Sequence, residues 1–248
     1  MIPTLVVAGT ASGVGKTTFV VGLAAALRRR GLAVQPFKVG PDFIDPGFHA
    51  LAAGRASHNL DGWMCSREYV RAAVSRHAAA ADLALVEGAM GCFDGRGGTS
   101  DEGSTAEVAK WLGAPVVLVV DARAMARSAG AVVLGFERYD ADLDLAGVVF
   151  NGVAGEAHGQ CLREAVAARC RAVPLGFLPH RDSLALPERH LGLVTAAEQG
   201  LPPSLVDELS RAIEASVDVD RLLSLARSQV SPGPHAAEAH PAVAGRRG

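Results

Sequence analysis

The sequence lacks an excess of charge of either sign. Its 24 lysine and arginine residues against 26 aspartate and glutamate residues leave a formal net charge of −2. No overall basic field therefore draws the chain to nucleic acid or to an anionic membrane surface. We expect neither as a partner, so any ligand must be recognised by local groups.

Long apolar runs are missing as well. The longest, residues 114–120, is far shorter than the roughly 20 residues that a membrane-spanning helix needs. Met1 leads into a predicted strand and not into the pattern of a signal peptide. These two features lead us to expect a cytoplasmic protein.

Cysteine is scarce and scattered. The 4 cysteines lack the close pairing that zinc sites require, and in a reducing compartment such residues are more often free thiols than disulfides. We expect no structural metal from them. Cys92 has no histidine partner nearby in the sequence, so we do not assign it as a nucleophile.

The chain does contain enough apolar sequence for one large domain, with 248 residues of which 49% are hydrophobic. Continuous valine-rich runs are typical of strands buried on both faces. Their alternation with alanine-rich segments predicts an α/β fold, a doubly wound and mostly parallel sheet. The predicted strands are residues 4–8, 33–37, 83–87, 115–120, 146–150 and 172–177, and the predicted helices are residues 17–30, 66–79, 105–112, 127–138, 156–170 and 203–215.

Two predicted loops are unusually long, residues 39–62 and residues 88–103. Both follow the carboxyl ends of strands, where open α/β sheets bind their ligands, so we expect them to form the walls of an active site. The predicted domain spans residues 1–228. Residues 229–248 have no apolar period and predict a disordered tail.

The strongest motif is GTASGVGKTT, residues 9–18, between a predicted strand and a predicted helix. The backbone N–H groups of such a loop and the start of the helix meet in one small volume that suits phosphate. The spacing from Gly9 to Gly15 is one residue longer than the common form. The motif predicts binding of ATP or GTP, with its magnesium ion, by Gly13, Val14, Gly15, Lys16, Thr17 and Thr18.

Acidic residues follow two of the predicted strands. Glu87 ends the run 83–87, where a carboxylate can reach the magnesium shell across from Thr17. Asp42 and Asp45 lie in the first long loop and could hold magnesium or orient a substrate, although each is equally consistent with a turn. Lys38 could bind a carboxylate or a phosphate.

Further candidates lie nearer the carboxyl terminus of the sequence. Asn151 could hydrogen-bond a nucleotide base, or could form a turn before Gly152. Asp94 lies in the second long loop, whose glycines suggest a mobile cover over a substrate. Arg189 and His190 are cationic candidates in a run that is equally consistent with a solvated loop.

Taken in order, these motifs resemble the synthetase half of the cobyrinic acid a,c-diamide synthase family, including its hydrogenobyrinic acid version. The resemblance spans residues 4 to about 194 and includes segments 9–18, 37–46, 59–61, 87–95, 103–106 and 187–193. The phosphate loop is similar to that of dethiobiotin synthetase, which has a related P-loop NTPase fold. The resemblance implies an ATP- and Mg²⁺-dependent carbon–nitrogen ligase of cobalamin biosynthesis that amidates the a and c acetate side chains of a corrinoid through an acyl phosphate.

The resemblance also implies roles for individual residues. Asp45 and Asp94 would help to position the corrinoid, and Asn151 would contact adenine. Lys16 would neutralise charge during phosphoryl transfer. On this basis the catalytic candidates are Lys16, Lys38, Asp45 and Asp94, and the metal-binding candidates are Thr17, Asp42, Asp45 and Glu87.

Three expectations stay open at this level. The family's glutaminase motif is missing from this sequence, so we expect ammonia from a separate glutaminase subunit or from solution, and a homodimeric enzyme. A dethiobiotin-synthetase-like ligase for another carboxylic acid is the first alternative, although it should lack segment 41–46. A ParA-like or MinD-like ATPase switch is the second, although it usually carries a lysine where this loop has Thr10, Ala11 and Ser12.

Overall fold

A computed structural model describes residues 2–184, 186 and 201–228. One seven-stranded sheet forms the centre of the molecule, with strand order β3-β2-β4-β1-β5-β6-β7. Every neighbouring pair of strands is parallel, which confirms the predicted α/β fold. The strands are β1 (Thr4–Gly9), β2 (Val34–Val39), β3 (His58–Leu60), β4 (Leu83–Glu87), β5 (Val116–Asp121), β6 (Leu145–Val153) and β7 (Val173–Pro179).

Helices cover both faces of the sheet and bury two apolar clusters. Alternate residues of β1 point to opposite faces, so that Leu5 and Val7 enter one cluster and Val6 and Ala8 the other. None of the helices in the described ranges is both long and apolar enough to cross a bilayer. The helices are α1 (Lys16–Arg29), α2 (Asp45–Ala53), α3 (Arg67–His77), α4 (Thr105–Leu112), α5 (Ser128–Tyr139), α6 (Glu156–Ala167), α7 (Pro203–Ser216) and α8 (Val219–Ser228), with a short 3-10 helix at Asp182–Leu184.

The prediction of a single loop over residues 39–62 is wrong, because this segment contains α2 and β3. The Asp42 carboxylate starts α2 by accepting the backbone N–H groups of Ile44 (2.8 Å) and Asp45 (3.0 Å). Pro46 occupies the first turn of the helix, where its missing N–H has no cost. The Asp-Pro-Gly sequence is therefore a helix start, although it has the composition of a turn.

The second long loop behaves as predicted, since residues 88–104 contain no helix or strand. Ser104 ends it by capping α4, accepting the backbone N–H of Glu107 at 3.1 Å. The Glu107 carboxylate in turn accepts the N–H of Gly103 at 2.8 Å. These two hydrogen bonds fix where the loop rejoins the regular structure.

Arg30, at the end of α1, forms ion pairs with the last two helices of the domain. Arg30 donates to both carboxylate oxygens of Glu214 (2.7 and 2.6 Å) and to Asp220 (2.6 Å), which ties α1 to α7 and α8. Helix α8 itself was not predicted. The predicted tail at 229–248 and the pair Arg189–His190 lie outside the described residues.

Two glycines of α5 offer a matched test of this packing. A Cβ atom on Gly130 would lie 2.6 Å from the Ala165 carbonyl oxygen of α6, whereas Gly135 has no atom within 4 Å of that position. We expect Gly130→Ala to lower the free energy of unfolding by about 1–3 kcal/mol. We expect Gly135→Ala to raise it by about 0.5–1 kcal/mol, as alanine has the higher helix propensity. Urea unfolding followed by circular dichroism measures both, and shifts in the same direction would contradict the α5–α6 contact.

Candidate active site

The phosphate loop connects β1, the central strand of the sheet, to α1. Gly13 and Gly15 adopt positive φ angles of 75° and 98°, which explains the glycines at these positions. The space beside Gly15 is filled by Asn151, because a Cβ on Gly15 would lie 2.2 Å from the Asn151 Nδ2 atom. That same Nδ2 donates to the Val14 carbonyl at 3.0 Å. Strand β6 therefore holds the loop in its shape.

Lys16 is the first residue of α1 and lies across the mouth of this loop. Its ammonium group donates to the carbonyl oxygens of Ala11 (3.0 Å) and Met90 (2.5 Å). Met90 belongs to the second long loop and has an unusual positive φ of 48°. The lysine thus connects the phosphate loop with the loop after β4 and faces a shared cavity.

Glu87 is the centre of a buried polar cluster beside Lys16. It ends β4, and its side chain is fully buried. Its Oε1 atom accepts from the Thr17 hydroxyl (2.7 Å) and from the Lys38 ammonium (2.9 Å). Burial alone would raise the pKa of Glu87, but the contacts with His49 and Lys38 outweigh it and hold that pKa far below its ordinary value. The group is therefore a carboxylate at neutral pH.

Lys38 joins Glu87 to Asp45. The registers of β2 and β4 set Lys38 opposite Glu87, and the Lys38 ammonium lies 2.8 Å from the Asp45 carboxylate and 3.0 Å from the Gly88 carbonyl. An ammonium has three donors, and Glu87, Asp45 and Gly88 take all three. Burial lowers the pKa of Lys38, but its two acidic neighbours outweigh this and raise it overall.

Asp45 experiences the opposite balance. Burial and the nearby charge of Glu87 raise the pKa of Asp45, while Lys38 opposes them. Asp45 lines the cavity beside Asp42 and Phe48.

His49 is the member of the cluster that sequence reasoning missed. Its ring is fully buried, and its Nε2 atom lies 2.5 Å from Glu87 Oε2. The signal lay in the spacing, because Asp45 and His49 are four residues apart and share one face of a helix. That signal can be used only when α2 is recognised, and the sequence of residues 39–62 predicts a loop instead.

The cavity that Lys16 faces has a volume of about 530 Å³ and lies between the phosphate loop and the start of α2. Hard oxygen donors line it, which is the ligand chemistry that Mg²⁺ prefers. The described residues contain no group of three or more histidine, cysteine, aspartate or glutamate side chains arranged as a metal site. A magnesium ion fits here in its usual manner, with few protein oxygens and the rest from phosphate and water. The candidate oxygens are those of Thr17, Asp42, Asp45 and Glu87.

A second cavity of about 280 Å³ adjoins the phosphate loop on the side of β5, β6 and β7. Asn151 lines it, as do Asp121 and Arg123, whose side chains form an ion pair at 2.6 Å. Both cavities are lined by residues of the phosphate loop, so the site has two parts, one on each side of this loop. The β2 and β4 side carries Asp42, Asp45, Glu87 and Lys38, and the β5 to β7 side carries Asp121, Arg123 and Asn151.

Asp94 lies apart from the other catalytic candidates. Its carboxylate accepts the Gly91 N–H at 2.7 Å, and it lines a third cavity, of about 670 Å³, with Lys110 and Tyr139. The structure therefore does not bring Asp94 into the cavity of Lys16, Lys38 and Asp45. Nearby Cys92 is buried in the core, and burial followed by three aspartate charges raises its pKa to about 12. A thiol that stays protonated is a poor nucleophile.

These features define a nucleotide-binding protein of the P-loop class: a glycine loop between strand and helix, a lysine and threonine at the helix start, and an acid at the end of a neighbouring strand. Residues 5–194 match the family described as CbiA, the CobQ/CobB/MinD/ParA nucleotide binding domain. The chain belongs to this family.

Several curated proteins are similar over most of the chain. It is 52% identical over 233 residues to the cobyrinate a,c-diamide synthase of Syntrophotalea carbinolica, covering 93% of this chain and 50% of the relative. It is 50% identical over 231 residues to the hydrogenobyrinate a,c-diamide synthase of Rhodobacter capsulatus, covering 92% and 53%. The Salmonella typhimurium cobyrinate a,c-diamide synthase is 46% identical over 220 residues, covering 89% and 48%. The chain thus spans about half the length of these relatives.

Solved structures give a more distant likeness. The signal recognition particle receptor FtsY from Elizabethkingia anophelis, in complex with GDP, superposes with a TM-score of 0.53 at 15% identity, covering 85% of this chain and 64% of that one. Chloroplast FtsY from Physcomitrella patens gives a TM-score of 0.53 at 17% identity, covering 84% and 65%. At such low identity the likeness shows the fold alone.

The cluster predicts a pH-dependent stability defect. Lys38→Met leaves Asp45 and Glu87 buried without their shared cation, so we expect the free energy of unfolding to fall by about 3–5 kcal/mol near neutral pH. Asp45 already has a raised pKa, and losing Lys38 raises it further. An acid whose pKa is higher in the folded state than in the unfolded state destabilises the fold as the pH rises through that value. The defect should therefore shrink by about 1 kcal/mol or more between about pH 8 and about pH 5.

Urea unfolding at the two pH values measures this effect. Lys110→Met is the matched control, because Lys110 pairs with Asp101 and Asp140 at a partly exposed position. We expect that control to lose about 1 kcal/mol or less. An equal loss for Lys38→Met at both pH values would mean that Asp45 does not become protonated when its cation is removed.

Proposed function

We propose that this chain is the ATP- and Mg²⁺-dependent synthetase domain of a cobyrinate or hydrogenobyrinate a,c-diamide synthase. In this proposal it amidates the a and c acetate side chains of the corrinoid in cobalamin biosynthesis. The observation that carries the proposal is the buried cluster of Thr17, Lys38, Asp45 and Glu87 beside the phosphate loop. It gains weight from relatives with 46% to 52% identity that bear these synthase names.

The chemistry suits these residues. A carboxylate is a poor electrophile, and ATP supplies the phosphoryl group that converts it to an acyl phosphate, from which ammonia displaces phosphate. Little covalent work is then left for the protein, which must align the groups and neutralise charge. Lys16 and the loop amides would do this at the phosphates. Thr17 and Glu87, assisted by Asp42 or Asp45, would hold the metal.

The remaining candidates receive narrower roles. All three donors of Lys38 are engaged with protein oxygens, so we assign it to holding Glu87 and Asp45 in place. Asn151 donates to the Val14 carbonyl, which leaves its amide oxygen as the group that would accept a hydrogen bond from adenine.

Substrate positioning is assigned to both sides of the loop after β4. Asp45 lines the cavity of the phosphate loop, and Asp94 lines the separate cavity with Tyr139. We expect a macrocycle that carries several carboxylates to extend over both cavities and to contact both Asp45 and Asp94. We propose that Asp45 acts near the reacting carboxylate and Asp94 at a more remote part of the ring.

Ammonia would come from a glutaminase, either a separate subunit or the part of the relatives that this chain does not match, or from free ammonium. We further propose that the enzyme acts in the cytoplasm as a homodimer. Size-exclusion chromatography with light scattering measures the oligomeric state directly.

The first experiment measures phosphate release from MgATP in the presence of ammonium, with and without cobyrinic or hydrogenobyrinic acid. Mass spectrometry follows the corrinoid in the same samples. We expect corrinoid-dependent phosphate release and two successive conversions of acid to amide. Phosphate release stimulated by a different carboxylic acid would favour the dethiobiotin-synthetase-like reaction. ATP binding without any acid-dependent release would contradict the ligase assignment.

Lys16→Ala should lower the rate of amide formation by about 10²-fold or more, because it removes one preorganised cation from the phosphates. Circular dichroism should show an unchanged fold. Arg29→Ala is the control, because Arg29 lies at the opposite end of α1 from Lys16 and forms an exposed ion pair with Asp207. It should retain activity within about threefold, since surface ion pairs contribute little. Near-normal turnover of Lys16→Ala would remove Lys16 from the catalytic machinery.

A further inference from the structure

His49 lies behind the active site and does not line the cavity. It sits on α2, one turn after Asp45, and its side chain has no solvent exposure. Both ring nitrogens have partners: Nε2 lies 2.5 Å from Glu87 Oε2 and Nδ1 lies 3.2 Å from the Ser57 hydroxyl. The residue therefore holds Glu87 at Oε2, whereas Thr17 of the phosphate loop contacts Oε1.

The chemistry of these partners assigns the hydrogen on the ring. An ionised carboxylate only accepts hydrogen bonds, so Nε2 carries the hydrogen that points to Glu87. A hydroxyl can donate or accept, so Ser57 can satisfy Nδ1 as it is. The ring is thus fixed at both ends, by β4 on one side and by the residue that precedes β3 on the other.

Fixing one oxygen of a carboxylate determines where the other oxygen points. Oε1 of Glu87 accepts from Thr17 and Lys38. With Oε2 held by His49, the carboxylate cannot rotate without breaking a buried hydrogen bond. The Thr17 hydroxyl, a candidate metal ligand, is in turn oriented by Oε1. A continuous series of hydrogen bonds therefore runs from Ser57 through His49 and Glu87 to Thr17.

We propose that His49 is a positioning residue of the metal–nucleotide site: it holds Glu87 so that Glu87 and Thr17 keep the geometry that binds Mg²⁺ together with the triphosphate. The inference rests on the magnesium and nucleotide part of the proposed function and is independent of which acid is amidated. Partners of this kind, one step behind the ligands, orient them and set their affinity for metal.

The test compares His49→Leu, His49→Gln and Ser57→Ala. Leucine keeps most of the side-chain volume but removes the donor, whereas glutamine can present an N–H near the position of Nε2. His58→Gln is the matched control, since His58 is the next residue after Ser57 and its ring stacks on His77 outside the cluster. Calorimetry measures the affinity for a non-hydrolysable ATP analogue with Mg²⁺ and again with EDTA, and thermal unfolding is recorded for each variant.

We expect His49→Leu to weaken analogue binding by about 10-fold or more with Mg²⁺ and to leave binding in EDTA unchanged. His49→Gln should recover most of the lost affinity, Ser57→Ala should show a smaller loss of the same metal-dependent kind, and His58→Gln should behave as the wild type. Titration with Mn²⁺, followed by electron paramagnetic resonance in the presence of the analogue, should show the same order of affinities.

Two results would overturn the proposal. One is a His49→Leu or Ser57→Ala protein that unfolds at a lower temperature but binds the analogue with unchanged metal dependence, since this is the behaviour of a packing residue. The other is a wild-type protein that binds the analogue equally with Mg²⁺ and with EDTA. If His49→Leu does not fold, the metal dependence of analogue binding is compared for His49→Gln and Ser57→Ala instead, and an unchanged metal dependence in Ser57→Ala overturns the proposal. A wild type that shows metal-dependent binding but amidates no corrinoid contradicts the proposed substrate and leaves the role of His49 supported.

Discussion

The burial of one carboxylate governs the arrangement of this site. Glu87 lies at the end of a central strand with no exposure to water, and a buried charge is unfavourable unless it is paired and hydrogen-bonded. Its partners come from three different elements: Thr17 from α1, Lys38 from β2 and His49 from α2. All of these hydrogen bonds to Glu87 form only when the three elements are correctly placed. The packing of these elements therefore also assembles the site.

The sheet topology separates the two cavities that adjoin the phosphate loop. The chain leaves β1 toward β2 and β3, returns through β4 and then continues on the other side through β5, β6 and β7. The phosphate loop follows β1, near the point where this direction reverses, as expected for ligand sites in open α/β sheets. Asp45, Glu87 and Lys38 therefore collect on one side of the loop, and the second cavity with Asp121 and Asn151 lies on the other.

The sequence predicted the parts of the molecule in which local pattern and tertiary role agree. The valine-rich strands and the phosphate loop belong to this group, because each has a strong local signal. Helix α2 was missed because it is short and opens with Asp45, Pro46 and Gly47, which have the composition of a turn. His49 was missed with it. The distance between Asp94 and the other candidates could not have been predicted, since it depends on how the loop after β4 turns at Gly91, where the Asp94 carboxylate binds the backbone.

The contact between Gly15 and Asn151 has a consequence for how such sites can diverge. The amide of Asn151 occupies the volume in which any side chain at position 15 would lie, and a Cβ there would be 2.2 Å from it. Gly15 also has a positive φ that side chains disfavour. Single substitutions at Gly15 are thus blocked twice, while a shorter residue at position 151 would release the Val14 carbonyl and leave the loop without its support. Because Gly15 and Asn151 share one volume, a change at either position requires a compensating change at the other, and we expect strand β6 and the phosphate loop to diverge together.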